Sequence, residues 1–117
     1  MFVTPRTASS GPMRFAITVA GNTMESNVIA TATLPSSWHH VATSIDSASM
    51  TMKLYQDGNV VAEGETSVLP SDLGVTNQNY LGRSQWVADA YYDGSLDEFR
   101  IYNRALSHGE IRYLAGK

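Results

Sequence analysis

Apolar and polar residues alternate with a period of two through most of this chain of 117 residues, and turn residues interrupt the alternation. Side chains of a β-strand point to opposite faces in turn, so this pattern is typical of antiparallel sheets with one buried face. The pattern predicts about eight short strands. The clearest of them cover residues 14–20, 28–34, 38–45, 50–56, 60–63, 79–82 and 96–102.

Two local signals complete the predicted fold class. Asp57-Gly58 between two alternating runs predicts a β-hairpin, because glycine takes positive φ freely and aspartate tolerates it. Near the end, Ser107 and Glu110 have the spacing of a capping box, which starts a helix, and Gly116 is expected to end it. The sequence therefore predicts an all-β fold, an antiparallel β-sandwich or jelly roll, with one short C-terminal helix.

Length and composition exclude several classes of protein. The length fits one domain, so residues 1–117 are expected to form a single unit. The absence of cysteine excludes disulfides, thiolate metal sites and thiol nucleophiles. A net charge of −3 lacks the basic surface of a nucleic-acid binder. No apolar run is long enough to insert into a membrane, and the first ten residues lack the apolar centre of a signal peptide.

The order of motifs in the C-terminal part is more specific than a strand count. It reads W-H-H-V-A (38–42), L-Y-Q-D-G (54–58), L-G-R-S (81–84) and D-G-S-L-D-E-F-R-I-Y-N-R-A-L-S-H-G-E-I (93–111). This order resembles the laminin G-like jelly-roll domains of the concanavalin A-like lectin/glucanase superfamily, over residues 28–115. The resemblance implies two curved antiparallel sheets, an extracellular or cell-surface parent protein and, for many members, glycan binding.

The resemblance also implies a shortened domain. Such domains usually carry further strands ahead of the matching region, whereas only residues 1–27 precede it here. A sandwich without its N-terminal strands exposes a sheet edge, which is prone to pair with another chain. We therefore expect a homodimer that covers this edge, since two-fold symmetric pairs are the commonest soluble oligomers.

Aromatic and planar polar residues favour a sugar site between residues 77 and 91. Sugar rings pack their C–H faces on aromatic rings, and their hydroxyls bond to amides and guanidinium groups. Trp86 lies in a polar loop, where a core residue is not expected, and Tyr91 is out of phase with Tyr92. The alternative for Trp86 is a lid that folds back on the sandwich edge. The predicted carbohydrate-binding residues are Trp86, Tyr91, Arg83, Gln85 and Asn79.

Asp97 is the most informative acidic residue. By alternation it shares a predicted buried face with Phe99 and Ile101, and a buried carboxylate needs donors or a cation. The resemblance implies a structural calcium ion near this position, with Asp97 and Asp93 as candidate ligands. Calcium takes six to eight oxygen ligands, so backbone carbonyls would have to contribute. The alternative is that Asp97 accepts backbone N–H groups or pairs with an arginine, Arg83 or Arg104.

No residue pattern favours catalysis. Asp97 and Glu98 are neighbours on a predicted strand, so their side chains leave opposite faces and cannot flank a glycosidic bond together. His39 and His40 diverge in the same way and are expected to be ordinary strand or surface histidines. Trp38 is expected to anchor the core or its rim.

The leading hypothesis is a non-catalytic carbohydrate-binding module whose partner is a polysaccharide or oligosaccharide. One alternative is a structural or protein-adhesion module, and a third, weaker one is a small glycoside hydrolase. The fold alone does not decide among them.

Overall fold

The computed structural model describes residues 1–21, 23–84 and 86–117, and in them two three-stranded antiparallel sheets pack against each other. The first sheet has the order β1-β2-β3 and the second the order β4-β5-β6. The strands are β1 Phe2–Thr4, β2 Arg14–Ile17, β3 Ser26–Ile29, β4 Val41–Asp46, β5 Thr51–Gln56 and β6 Asn59–Glu65. A 3-10 turn follows at Pro70–Leu73, and helix α1 spans His108–Leu114. The predicted fold class, a β-sandwich with one short C-terminal helix, is confirmed.

The central strand of each sheet, β2 and β5, supplies the centre of the core. In β2, Phe15 and Ile17 are almost fully buried, as their shared parity predicts. In β5, Met52 and Leu54 are fully buried and face them from the second sheet. The buried residues that form this core cluster are Met13, Phe15, Ile17, Val28, Ala30, Met52, Leu54 and Val68.

The β5–β6 connection is the predicted hairpin. Asp57 has φ of 50° and Gly58 has φ of 82°, the two positive values that a two-residue type I′ turn requires. This turn matches the twist of the flanking strands and sets Gln56 opposite Asn59. The register shifts once, between Leu54 and Tyr55.

The two sheets approach most closely along one side, where β3 lies against β6. A Cβ atom at Gly64 would lie 3.0 Å from Cγ1 of Val28, so the absence of a side chain at Gly64 permits this approach. Just beyond β6, the backbone N–H of Ser67 donates to the Ser26 hydroxyl at 3.2 Å. The edges of β1 and β4 lie away from this seam.

Helix α1 begins and ends as the sequence predicts. Ser107 accepts a hydrogen bond from the Glu110 backbone N–H, and the Glu110 carboxylate accepts one from the Ser107 backbone N–H, which completes the capping box. Gly116 has φ of 72°, and the N–H groups of Gly116 and Lys117 donate to Tyr113 and Arg112 carbonyls in a Schellman motif. Within the described residues, no helix has the length and apolar character needed to cross a bilayer.

Two strand predictions and one core prediction are wrong. In the described part of the chain no strand follows Glu65, so residues 79–82 and 96–102 are irregular although their sequence alternates. Alternation gives a segment the right faces for a strand, but a strand also needs a neighbour to take its backbone hydrogen bonds. Trp38 is 71% exposed rather than a core anchor, because β4 begins only at Val41 and leaves Trp38 in the preceding turn.

Candidate functional site

A closed loop brings most of the predicted sugar-binding residues into one region. The backbone N–H of Tyr92 donates to the Gly82 carbonyl at 2.8 Å and joins the two ends of the loop. Gly82 has φ of 75°, a conformation that favours glycine, and a second bond from Asp89 N–H to the Trp86 carbonyl, at 3.2 Å, turns the chain at the tip. Local backbone bonds therefore shape this loop.

The Arg83 guanidinium lies within cation–π distance of two tyrosine rings. Its central carbon is 4.5 Å from the ring centroid of Tyr80 and 5.8 Å from that of Tyr91. Both distances fall within the range of cation–π attraction, which contributes about 0.5–1 kcal/mol at exposed sites. Trp86 and Tyr91 remain 59% and 72% exposed, so their rings are open to a ligand. We call Tyr80, Arg83, Trp86 and Tyr91 the aromatic loop.

The five predicted carbohydrate-binding residues do not share one environment in the structure. Arg83 lies 5.8 Å from the Tyr91 ring centroid, and Trp86 is 59% exposed. Asn79 uses its amide within a turn: its Nδ2 donates to the Thr76 carbonyl and its Oδ1 accepts from the Thr76 hydroxyl, both at 3.1 Å. Gln85 lies outside the described residues.

Tyr80 is the residue of this cluster that sequence reasoning missed. It was expected in a strand, N-Y-L-G, with no functional role. Its position three residues before Arg83 was the available signal, because a tight turn at Gly82 brings these two side chains to the same side of the chain.

The predicted inward position of Asp97 is wrong. Asp97 is exposed, and its supposed core neighbours Phe99 and Ile101 are 63% and 83% exposed. Its Oδ1 accepts a hydrogen bond from the Glu98 backbone N–H at 2.8 Å, which agrees with the backbone-bonded alternative. Arg104 pairs instead with Glu110 at 2.6 Å. With 96–102 outside any sheet, no buried face exists there for Asp97 to occupy.

The acidic residues do not gather into a ligand set. In residues 1–21, 23–84 and 86–117, no three His, Asp or Glu side chains lie close enough together to hold a metal ion. Asp93 is exposed, like Asp97. These residues therefore do not fit a calcium ion held by this chain's side chains alone, and calcium binding stays a prediction that depends on the resemblance.

A shallow groove of about 250 Å³ lies between the second sheet and the residues that precede α1. Asp46, Lys53, Tyr55 and His108 are among its lining residues. Its charged groups already have partners. The Ala48 backbone N–H donates to Asp46 and lowers the pKa of that carboxyl, and Lys53 pairs with Glu63 at 3.0 Å. Tyr55 is only 3% exposed, so the groove presents no free aromatic face for a sugar.

A Ser-His-Asp chain of hydrogen bonds, which sequence reasoning missed, precedes β4. The His39 ring contacts the Ser37 hydroxyl through Nε2 at 2.8 Å and the Asp57 carboxylate through Nδ1 at 2.7 Å. The same carboxylate accepts the His40 backbone N–H at 3.1 Å, and Asp57 N–H donates to the His40 carbonyl at 2.8 Å. Nucleophilic catalysis would also need oxyanion donors beside the serine. The bonds instead tie the hairpin turn to the start of β4, so we assign them a structural role.

Asp57→Asn is expected to lower the free energy of unfolding by about 1 kcal/mol near neutral pH, because a partly exposed, charge-assisted hydrogen bond is lost. Burial alone would raise the pKa of the Asp57 carboxyl, but hydrogen bonds from the His39 ring and the His40 backbone outweigh it and hold that pKa below its ordinary value. A lowered carboxyl pKa stabilises the fold above the unfolded-state pKa, and that stability is lost as pH falls through the folded-state pKa.

Urea unfolding of wild type and Asp57→Asn between pH 7 and the acid limit of folding measures this effect. Asparagine also tolerates positive φ, so the turn itself is kept. The difference between the two proteins should shrink as the pH falls below about 4. A gap that stays constant with pH would contradict the assignment.

Comparison with known proteins agrees with this architecture. Residues 3–112 match a laminin G-like family of the concanavalin A-like lectin/glucanases superfamily, and the chain belongs to that family. The match begins 25 residues earlier than the sequence motifs indicated, at residue 3 rather than residue 28. Strand β2 carries core residues but none of the motif letters, which explains the difference.

A solved structure shows the same fold. It is the crystal structure of residues 221–444 of an S-layer domain-containing protein from Clostridium thermocellum. The two are 35% identical with a TM-score of 0.61, over 88% of this chain and 51% of the other. This chain therefore spans about half the length of that structure. Among curated proteins, none matches this chain.

Proposed function

We propose that this chain is a non-catalytic carbohydrate-binding module of a cell-surface protein. The observation that carries the proposal is the aromatic loop, in which the Arg83 guanidinium lies within cation–π distance of two tyrosine rings and Trp86, in the same loop, is exposed. Membership of a lectin/glucanase superfamily supports a glycan ligand. Similarity to a segment of an S-layer domain-containing protein supports the surface location.

Each group of the aromatic loop has a distinct role in this proposal. The open faces of Trp86 and Tyr91 would pack against the C–H faces of sugar rings, as aromatic side chains do with apolar surfaces. Arg83 Nε donates to the Ser84 carbonyl at 3.3 Å, which leaves up to four planar donors for ring hydroxyls, and stacking on Tyr80 fixes the direction of those donors. Because the rings are already held by the closed loop, less ordering is needed on binding.

Trp86→Ala and Tyr91→Ala are each expected to weaken polysaccharide binding at least tenfold, which corresponds to about 1.4 kcal/mol. Arg83→Lys should also weaken binding, since lysine keeps the charge but loses the planar fork. Affinity gel electrophoresis with β-glucans, xylans and arabinans, in calcium and in EDTA, measures the effect. Tyr113→Ala is the matched control, because Tyr113 is an 81% exposed tyrosine on α1 outside the loop.

The same incubations are expected to release no reducing sugar. Hydrolysis requires two carboxyl groups facing each other across the glycosidic bond, and Glu98 is already paired with Arg100. Equal retardation of wild type and of Trp86→Ala would contradict the binding proposal. Turnover that disappears on replacing Asp93, Asp97 or Glu98 would show an enzyme instead.

A structural or protein-adhesion module is the second candidate. The observation that favours it is a row of exposed apolar residues, Leu96, Phe99 and Ile101, that no sugar site accounts for. If no polysaccharide retains the chain and the chain self-associates, these results would favour this second candidate.

A further inference from the structure

The segment from Leu96 to Tyr102 exposes an unusual amount of apolar surface. Leu96, Phe99, Ile101 and Tyr102 are 59%, 63%, 83% and 44% exposed. Single exposed apolar residues are ordinary, whereas four within seven positions mark an interaction surface. This surface is separate from the aromatic loop, so the inference does not depend on carbohydrate binding.

The sequence of this segment is that of a strand, but no strand accompanies it. It alternates as Leu-Asp-Glu-Phe-Arg-Ile-Tyr, with aromatic and β-branched residues that favour extended structure. Within the described residues, none of the six strands pairs with it. One local feature holds it out of extended form: Glu98 has φ of 52°, and its N–H is bonded to the Asp97 carboxylate.

The charges and apolar groups of this segment are self-complementary. If two copies run antiparallel with Phe99 opposite Phe99, then Glu98 of each copy faces Arg100 of the other. Leu96 then faces Tyr102 twice, and Asp97 faces Ile101 twice. Opposite charges and apolar groups directly across an antiparallel pair are stabilising. The two Glu98–Arg100 pairs that now exist, one within each chain, would be exchanged for two pairs between the chains.

Symmetry and charge together limit the registers in which two copies of this segment can pair. In an antiparallel pair, two residues that lie directly opposite each other point to the same face of the ribbon. When a two-fold axis relates the two strands, the axis therefore passes beside one residue, which lies opposite its own copy. Centring on Glu98 sets two carboxylates opposite each other, and centring on Arg100 sets two guanidinium groups opposite each other. Like charges directly across a pair are destabilising. Centring on Phe99 avoids both like-charge pairs and also sets Glu98 opposite Arg100.

We propose that two copies of this chain associate by antiparallel pairing of residues 96–102 about a two-fold axis at Phe99. The pairing gives the backbone of each segment a partner and sets the two Phe99 side chains against each other. It also places Phe99 and Ile101 of both copies on one face of the new two-stranded ribbon. The partner is a second copy because the segment complements its own charge order.

Charge exchange tests the register. Wild type should show a mass of twice 12.7 kDa by light scattering after size-exclusion chromatography. Glu98→Arg sets Arg opposite Arg, and Arg100→Glu sets Glu opposite Glu, so each single variant should raise the dimer dissociation constant at least tenfold. Both positions are exposed, and unchanged circular dichroism would show that both variants fold.

Mixing the two single variants should restore association, because every pair in the mixed dimer is again Arg opposite Glu. The double variant Glu98→Arg/Arg100→Glu should dimerise like wild type. A general loss of folding or of surface charge would not produce either recovery. Monomeric wild type, or a mixture as weakly associated as its components, would overturn the proposal.

A cysteine probe tests the centre of the pair. The chain has no cysteine, so Phe99→Cys introduces a single thiol per copy. Directly opposed residues have Cβ atoms about 4.5–5.5 Å apart, close enough to form a disulfide after small movement. In Ile101→Cys the two thiols lie four residues out of register, about 13 Å apart. Oxidation should cross-link the first variant and not the second, and equal cross-linking of both would overturn the register.

Discussion

Replacing Phe15 by alanine is expected to lower the free energy of unfolding by about 3–5 kcal/mol, as is usual for a buried phenylalanine. Phe15 is only 2% exposed and lies on β2, the central strand of its sheet, opposite Val3 of β1 and Val28 of β3. Met52 and Leu54 belong to the same core cluster from the other sheet. The truncation thus opens a cavity between the two sheets, where neither can collapse without moving a whole strand.

Urea unfolding followed by tryptophan fluorescence and circular dichroism measures this change. The loss equals about a fifth or more of the roughly 5–15 kcal/mol that stabilises a typical domain. Val75→Ala is the control, because Val75 is 93% exposed and surface truncations usually change stability by less than about 0.5 kcal/mol. A loss below about 1 kcal/mol for Phe15→Ala would mean that the two sheets do not share one packed core.

The elements that the sequence predicted well are those whose signal is local. The hairpin at Asp57-Gly58 needs two residues that accept positive φ, and both are adjacent in the sequence. The start of α1 needs Ser107 and Glu110 to bond to each other's backbone across three residues. In both cases the groups that form the structure are the groups that form the motif, so no distant partner had to be known.

The segment 96–102 shows the limit of such signals. Its alternation is as regular as that of β5, yet β5 lies between two neighbours and 96–102 has none among the described strands. The period of a sequence specifies which side chains share a face, and it contains no information about which strand supplies the hydrogen bonds. The inward position of Asp97 was predicted on the assumption that 96–102 is a strand of a sheet. Because this segment is not a strand, the prediction for Asp97 fails as well.

The candidate site could also be predicted only in part, because local sequence signals do not show how distant side chains come together. Trp86 and Tyr91 were found because a polar loop is a poor place for a core residue, and Arg83 because its group suits sugar hydroxyls. The stacking of Arg83 on Tyr80 depends on how the chain turns at Gly82, which composition does not reveal. Asn79 has the right chemistry, but its amide bonds within its own turn.

Gly58 joins two parts of the fold, and Gly58→Ala is expected to cost about 2–3 kcal/mol of unfolding free energy. Its φ of 82° alone makes alanine unfavourable by about 1–2 kcal/mol. A Cβ atom there would also lie 3.2 Å from Cα of Arg112 and 3.4 Å from Cβ of Ala115. Because the first of these atoms is helix backbone, the whole of α1 would have to move away from the turn.

That movement of a few tenths of an ångström would also lengthen the hydrogen-bond contact between His108 Nε2 and the Gly58 carbonyl, now 2.9 Å long. It would also shift the His108 ring relative to the Tyr55 ring; the two ring centroids are now 6.3 Å apart. Gly21→Ala is the matched control, because Gly21 has φ of 65° but a Cβ atom there would meet no atom within 4 Å. The control carries the backbone strain without the collision. Denaturant unfolding of both variants should therefore show a larger loss for Gly58→Ala, with a shift of the His108 ring resonances in that variant only. Equal losses and unshifted His108 resonances would show that α1 does not depend on the hairpin turn for its position.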